Sequence, residues 1–189
     1  MIASQWLDGE FLWNPSRALM DSLGRWALRL FLAAMAMGPL HRLTGWAPIL
    51  AARRRFGVAT FLYALAHAFT YIGLEWRFEW SILLEDMIKR GAITVGAIAL
   101  VLMVPLAATS RAAAISALGA PAWRRLHWLA YPAFAHAIYH YGLMAGRDKR
   151  EAFVYTGIAL GLVLVRVAEW LSKNRRRWPT SPTSSPVLP

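Results

Sequence analysis

The chain has 189 residues, of which 58% are apolar and ten are tryptophan, a composition that excludes an ordinary soluble domain and reads as a small polytopic membrane protein. It holds no cysteine, which rules out disulfides, cysteine-ligated iron–sulfur clusters, thiolate zinc sites and the C-x-x-C-H attachment of covalent haem, so a metal would rest on histidine or carboxylate. The net charge of +11 does not point to nucleic acid, because the basic residues flank apolar runs instead of forming a soluble basic face.

The first stretch, "MIASQWLDGEFLWNPSRALMD", carries Asp8, Glu10 and Asp21 without a basic n-region or an uninterrupted apolar core, and is therefore no signal peptide. Residues 1–22 are expected to form a periplasmic N-terminal segment. Five apolar stretches follow, at residues 23–40, 56–74, 92–108, 123–145 and 152–171, each near the ~20 residues a crossing helix needs. Breakers stand between them: Pro39, Gly45 and Pro48, then Gly91, then Gly119 and Pro121. Residues 172–189 hold the basic run Arg175 to Arg177 and a Pro/Ser/Thr tail with almost nothing to bury, and are expected to be a disordered cytoplasmic tail. The fold class expected is all-α, a polytopic membrane helical bundle of about five transmembrane helices.

Charge sets the expected sidedness. Loop 40–55, loop 111–125 and the tail together hold eleven Lys/Arg and no acid, whereas loop 75–90 and turn 147–151 mix both signs. These kinds of segment alternate, as five crossings require, so the positive-inside rule puts the N-terminus in the periplasm and the C-terminus in the cytoplasm. Trp46, Trp76, Trp80, Trp123 and Trp128 fall near the interfaces and read as aromatic belts.

Histidine carries the chemistry of such a chain. Neutral imidazole is a good axial ligand for haem iron, and a helical bundle can hold a flat macrocycle between facing helices through one histidine from each. His67 lies eleven residues past the start of the second stretch, and His140 lies a few residues before Arg147, so both belong to the outer half of the membrane at matching depth. His127 is thirteen residues before His140, ~20 Å deeper at 1.5 Å per residue, which suits a second redox station near the inner face. Thirteen residues is not a whole number of turns, and no histidine of the second helix stands opposite it. His136 shares a face with His140 and reads as a packing or hydrogen-bonding residue, and His41 reads as a loop residue at the headgroups. The bland alternative for each is a hydrogen bond to a neighbouring helix or a water. Arg29 and Arg166 are the arginines inside helices; Arg166 can pair with Glu169 at i, i+3, and Arg25 and Arg29 stack at the depth where the propionates of an outer haem would emerge.

The segments "GRWALRLFLAAMAMGPLHRLTGW", "RRRFGVATFLYALAH", "DMIKRGAITVG", "PLAATS" and "WRRLHWLAY…HAIYHY", in this order, resemble the MsrQ (YedZ) family, related to ferric-reductase-like transmembrane domains. The resemblance covers residues 14–171 and implies a ferric-reductase-like haem-binding domain over 23–171. It implies a b-type cytochrome of the bacterial inner membrane that takes electrons from the quinone pool or a flavin reductase. Its partner would be the periplasmic molybdopterin-containing catalytic subunit of a methionine sulfoxide reductase system. The family's histidines carry over onto His67, His127 and His140, as axial ligands of haem b, one or two per chain, and FMN is implied as well. Family members commonly carry a further N-terminal transmembrane helix, where here only "MIASQWLDGEFLW" precedes the match; Gly91 and His41 also depart from the family pattern.

The reading is therefore an electron-transfer subunit in which His67 and His140 hold an outer haem and His127 serves an inner haem or quinone site. No G-x-G-x-x-G fingerprint and no nucleophile–base constellation occurs, so no complete catalytic site is expected in the chain itself. The alternatives are a cytochrome b anchor of another oxidoreductase or metal reductase, and a haem-free small transporter.

Overall fold

The computed structural model describes residues 14–146 and 149–177, with side chains described as far as residue 172. Helix α1, Pro15–Thr44, starts where Asn14 Oδ1 accepts the Arg17 N–H at 3.1 Å and Pro15 fills the first helical position. Such a cap supplies an acceptor to an N–H that has no partner within the helix. It stops at Gly45, whose φ of 68° is the left-handed conformation that closes a helix, with its N–H donating to His41 O.

Helix α2, Pro48–Thr70, runs on through a π-helical turn, Tyr71–Glu75. Two consecutive left-handed residues, Arg77 and Phe78, then reverse the chain into the short helix α3, Trp80–Lys89. Helix α4 is Gly91–Ala108. Two seven-residue helices follow, α5 (Ala112–Leu118) and α6 (Ala120–Leu126), separated by Gly119 at φ 74°. A 3₁₀ turn, His127–Leu129, joins α6 to α7, Ala130–Met144, and the last helix, α8, is Arg150–Arg177. No strand occurs among the described residues.

All five expected stretches are helical, and the all-α bundle expected from the sequence is what is observed. Among the described residues, three helical runs are long and apolar enough to cross a membrane on their own: Pro48–Glu75, Gly91–Ala108 and Arg150–Ser172. The other two differ for identifiable reasons. Helix α1 is 30 residues long but carries Arg25 and Arg29 within its apolar stretch. The fourth stretch is interrupted by the 3₁₀ turn, with Pro132 just beyond it. Helix α1 begins eight residues before residue 23, and α8 continues through the basic run to Arg177. Of the expected tail, residues 178–189 lie outside the described residues, as do residues 1–13 of the N-terminal segment.

Helix α1 packs along α2 and α4 along α7, while α2 meets α4, and α8 lies against α1 and α7. The buried centre is made by Leu28, Phe31 and Met35 of α1, Met103 of α4, and Ala133 and Phe134 of α7. Phe31 and Phe134 meet edge to face at 5.1 Å. Outward positions such as Leu62, Val101 and Leu164 are exposed. In lipid that exposure costs nothing, and the helices are held by close packing and hydrogen bonds, not by exclusion of water.

Candidate functional site

The two packed helix pairs, α1–α2 and α4–α7, each present one histidine by the same device. On α2, Nδ1 of His67 lies 2.9 Å from the carbonyl oxygen of Met20 in α1. On α7, Nδ1 of His140 lies 2.7 Å from the carbonyl oxygen of Ala92 in α4. A carbonyl can only accept, so each Nδ1 carries the proton and each Nε2 keeps its lone pair. Four residues after each acceptor, on the same helix face, stands a glycine. A Cβ on Gly24 would lie 3.1 Å from Cε1 and Nδ1 of His67, and one on Gly96 would lie 2.8 Å from the same atoms of His140. Each ring is thus seated on bare backbone, a cradle that a methyl group would fill.

The two rings face each other across the bundle with centroids 6.2 Å apart and planes inclined at 69°. Two imidazoles binding one metal from opposite sides, with metal–nitrogen bonds of ~2 Å, put their ring centres about 6 Å apart. Separation, protonation and cradle all fit an axial pair on one iron of a planar macrocycle. A haem that His67 and His140 held from both sides would supply electron transfer and not the binding of an external ligand.

The structure does not bring His127 to this pair. Its ring stacks on Trp123 at 3.9 Å, and its Nε2 lies 3.1 Å from Thr109 Oγ1. The Thr109 hydroxyl already donates to Pro105 O, so the His127 Nε2–H is the donor and Nδ1 holds the lone pair. Trp123 Nε1 donates to Thr109 O at 2.9 Å and completes a tight knot at the end of α4. His136 Nδ1 donates to Pro132 O within its own helix, and His41 Nδ1 donates to Trp46 O in the turn after α1. Among the described residues no three histidines and carboxylates group around a metal position.

Arg29 and Arg166 both have partners. Arg29 Nε donates to Tyr155 Oη at 2.8 Å, and its guanidinium lies over the Trp26 ring. The expected Arg166–Glu169 pair does not form: Glu169 pairs with Arg42, while Arg166 turns inward to Tyr131 and the Met35 carbonyl. A backbone acceptor on a neighbouring helix holds Arg166 in the bundle, whereas Arg42 reaches Glu169 across the α1–α8 contact.

Sequence reasoning found the two facing histidines and missed what seats them. The signal was present as a spacing, "MDSLG" and "AITVG", an acceptor carbonyl followed by glycine one helical turn later.

Residues 23–138 match the family described as Ferric reductase like transmembrane component. The chain is 39% identical over 173 residues to the Protein-methionine-sulfoxide reductase heme-binding subunit MsrQ of Rhodospirillum rubrum, covering 91% of this chain and 83% of that one. It is 35% identical over 161 residues to the protein of the same description from Caulobacter vibrioides, covering 85% and 77%. With that of Xanthomonas campestris pv. campestris it shares 40% over 162 residues, covering 86% and 74%. No solved structure matches the chain.

Proposed function

Because this chain belongs to the ferric-reductase-like transmembrane family and, within it, to the MsrQ haem-binding subunits, we propose that it is a membrane cytochrome b whose His67 and His140 hold one haem. The observation that supports this most is the pair of rings 6.2 Å apart with both Nδ1 atoms tied to backbone carbonyls. A haem bound by two imidazoles supplies reversible one-electron chemistry with no open coordination position. His67 and His140 offer their Nε2 lone pairs, and the Met20 and Ala92 carbonyls fix the ring orientations and raise the basicity of both ligands. Leu28, Phe31 and Phe134 close the centre of the bundle to water.

In this reading the chain is a multi-pass protein of the inner membrane, with its N-terminus periplasmic and the histidine pair toward the periplasmic side. It receives electrons from the quinone pool or a cytoplasmic flavin reductase and delivers them to a periplasmic molybdopterin-containing subunit that reduces methionine sulfoxide. His127 serves an inner haem or quinone site, and its ligating atom would be Nδ1. FMN enters the reading through family resemblance alone.

A pyridine haemochrome assay on the purified chain, with absorption spectra of the oxidised and dithionite-reduced forms, tests the central step. The wild type is expected to contain haem b, and His67→Ala and His140→Ala each to lose most of it. Full haem in both variants would end the ligand assignment.

A further inference from the structure

Helix α3 is only 10 residues long, too short to span a membrane, yet one of its outward faces is apolar and uncovered. Trp80, Leu84 and Ile88 recur every four residues and are 61%, 60% and 84% exposed. Four residues return a helix to nearly the same direction, so the three side chains form one stripe. Phe78, also exposed, extends it, with its ring 6.4 Å from that of Trp80.

At about 100° per residue the helix divides into three faces roughly 120° apart. Leu83, Asp86 and Met87 turn to the bundle. Leu83 is buried, Asp86 bonds Tyr71 Oη at the end of the Pro48–Glu75 run, and Met87 O accepts the Thr94 hydroxyl of α4 at 2.6 Å. Glu85 and Lys89 make the second face, exposed and ion-paired with each other. The Trp80–Leu84–Ile88 stripe is the third. Ile82, at the margin of the charged face, is the least exposed of the outward apolar residues of α3, at 36%. A helix with water on both free sides would carry polar residues on both, whereas here one is charged and the other apolar. That division matches a helix lying at the boundary between lipid and water.

Its place in the chain agrees. Arg77 and Phe78 adopt the left-handed conformation, which is costly without glycine and persists only where the surroundings hold it. The Phe78 N–H donates to Ile72 O at 3.0 Å, and its ring lies on Gly73, where a Cβ would come within 3.3 Å of Cζ. At the other end Arg90 alone separates α3 from the span α4. The stripe thus continues helices whose outward residues, such as Leu62 and Val101, are already apolar.

We propose that α3 is an interfacial helix, lying along the membrane surface with Trp80, Leu84 and Ile88 among the upper acyl chains and Glu85 and Lys89 in water. Tryptophan suits that depth, because its ring is apolar and its N–H can meet the headgroups. The occupant of the stripe is the bilayer, which leaves the Glu85–Lys89 face of α3 to the aqueous side. His67 stands four residues before Tyr71, ~6 Å at 1.5 Å per residue, so α3 marks the membrane surface close above it.

The chain has no cysteine, so a single introduced one takes a nitroxide label without competition. Leu84→Cys, Ile88→Cys, Glu85→Cys and Lys89→Cys are labelled singly in the full chain and placed in phosphatidylcholine nanodiscs. Power saturation then compares collisions with oxygen, which concentrates in lipid, and with a nickel chelate, which stays in water. Labels at 84 and 88 are expected to favour oxygen and to read a depth of about 5–10 Å into the headgroup and acyl boundary. Labels at 85 and 89 are expected to favour nickel. Nickel-dominated collisions at 84 and 88 would put the stripe in water and overturn the proposal. Few collisions with either reagent would mean that protein covers it, a second copy included, and overturn it equally. Circular dichroism and gel filtration check the fold of each labelled chain, and positions 84 and 88 report separately, so a misfolded variant leaves the other to decide. Haem content does not enter the readout, so the His67–His140 reading can fail without affecting it.

Discussion

Gly96 stands where a methyl group would sit 2.8 Å from Cε1 and Nδ1 of His140, so the ring can reach the Ala92 carbonyl only because residue 96 has no side chain. Gly96→Ala is expected to push the imidazole off that carbonyl at a cost of about 1–3 kcal/mol, the range of overpacking. Haem per chain should fall by more than half. Gly24→Ala meets His67 at 3.1 Å and should lose less. Haem stoichiometry and the low-temperature electron paramagnetic resonance of both variants check the order; equal, wild-type haem content in the two would mean that the cradle has slack.

Because the His127 ring is held by Trp123 and Thr109, away from the facing pair, His127→Ala should leave the haem of His67 and His140 in place. A redox titration followed optically should keep the component assigned to that pair, and any change should fall on a second one. Loss of all haem from a folded His127→Ala protein would contradict the separation of the two stations.

Tyr155→Phe removes the acceptor of Arg29 Nε and leaves a half-buried cation short of a hydrogen bond. The expected loss is about 1–3 kcal/mol. At ~2–4 °C per kcal/mol for a chain of this size, melting in detergent should fall by several degrees, with haem content before melting unchanged. A melting curve superimposable on the wild type would show that another group takes over the guanidinium.

Outside the spans, Arg90 donates through Nε to Asp86 Oδ1 at 2.6 Å, and Tyr71 Oη, from the end of the Pro48–Glu75 run, also bonds Asp86. The Arg90 hydrogen bond holds the Asp86 carboxyl below its ordinary range. A depressed carboxyl stabilises the fold above the unfolded value, ~3.9, and that contribution is lost as pH falls through the lower folded value. Arg90 is exposed and solvent screens the pair from that side, so the contribution is at most about 0.5 kcal/mol. Hydrogen exchange of the α3 amides, after correction for intrinsic rates, should therefore rise as the medium is acidified below ~4. Asp86→Asn should remove most of that dependence, and an identical acid dependence in the variant would exclude Asp86 as its source.

Much of this was legible from charge and spacing. Counting from the flanking charged residues placed His67 and His140 at one depth, since an apolar helix has a fixed rise and the membrane a fixed thickness. The start of α1 was also written in the chain, as Asn14 before Pro15, but the acids and Arg17 around it obscured a helix that continues beyond its apolar stretch. The partners of Arg166 were not legible. Helix spacing favours Glu169, whereas the observed acceptor, the Met35 carbonyl, is 131 residues away and belongs to a group every residue possesses. The 3₁₀ turn at His127 was hidden for a related reason: Pro132 announces a bend without fixing where the turn tightens. Gly24 and Gly96 looked like the small residues common in membrane helices until the rings opposite them were known.

The acceptors behind the two imidazoles are main-chain atoms, so no exchange of side chain at position 20 or 92 can delete them. What would disturb them is a change of phase. A single inserted residue between Met20 and Gly24 would turn the rest of α1 by roughly 100° and part the carbonyl from its glycine, although every amino acid were retained. Drift in this part of the chain should therefore tolerate altered letters far more readily than altered length.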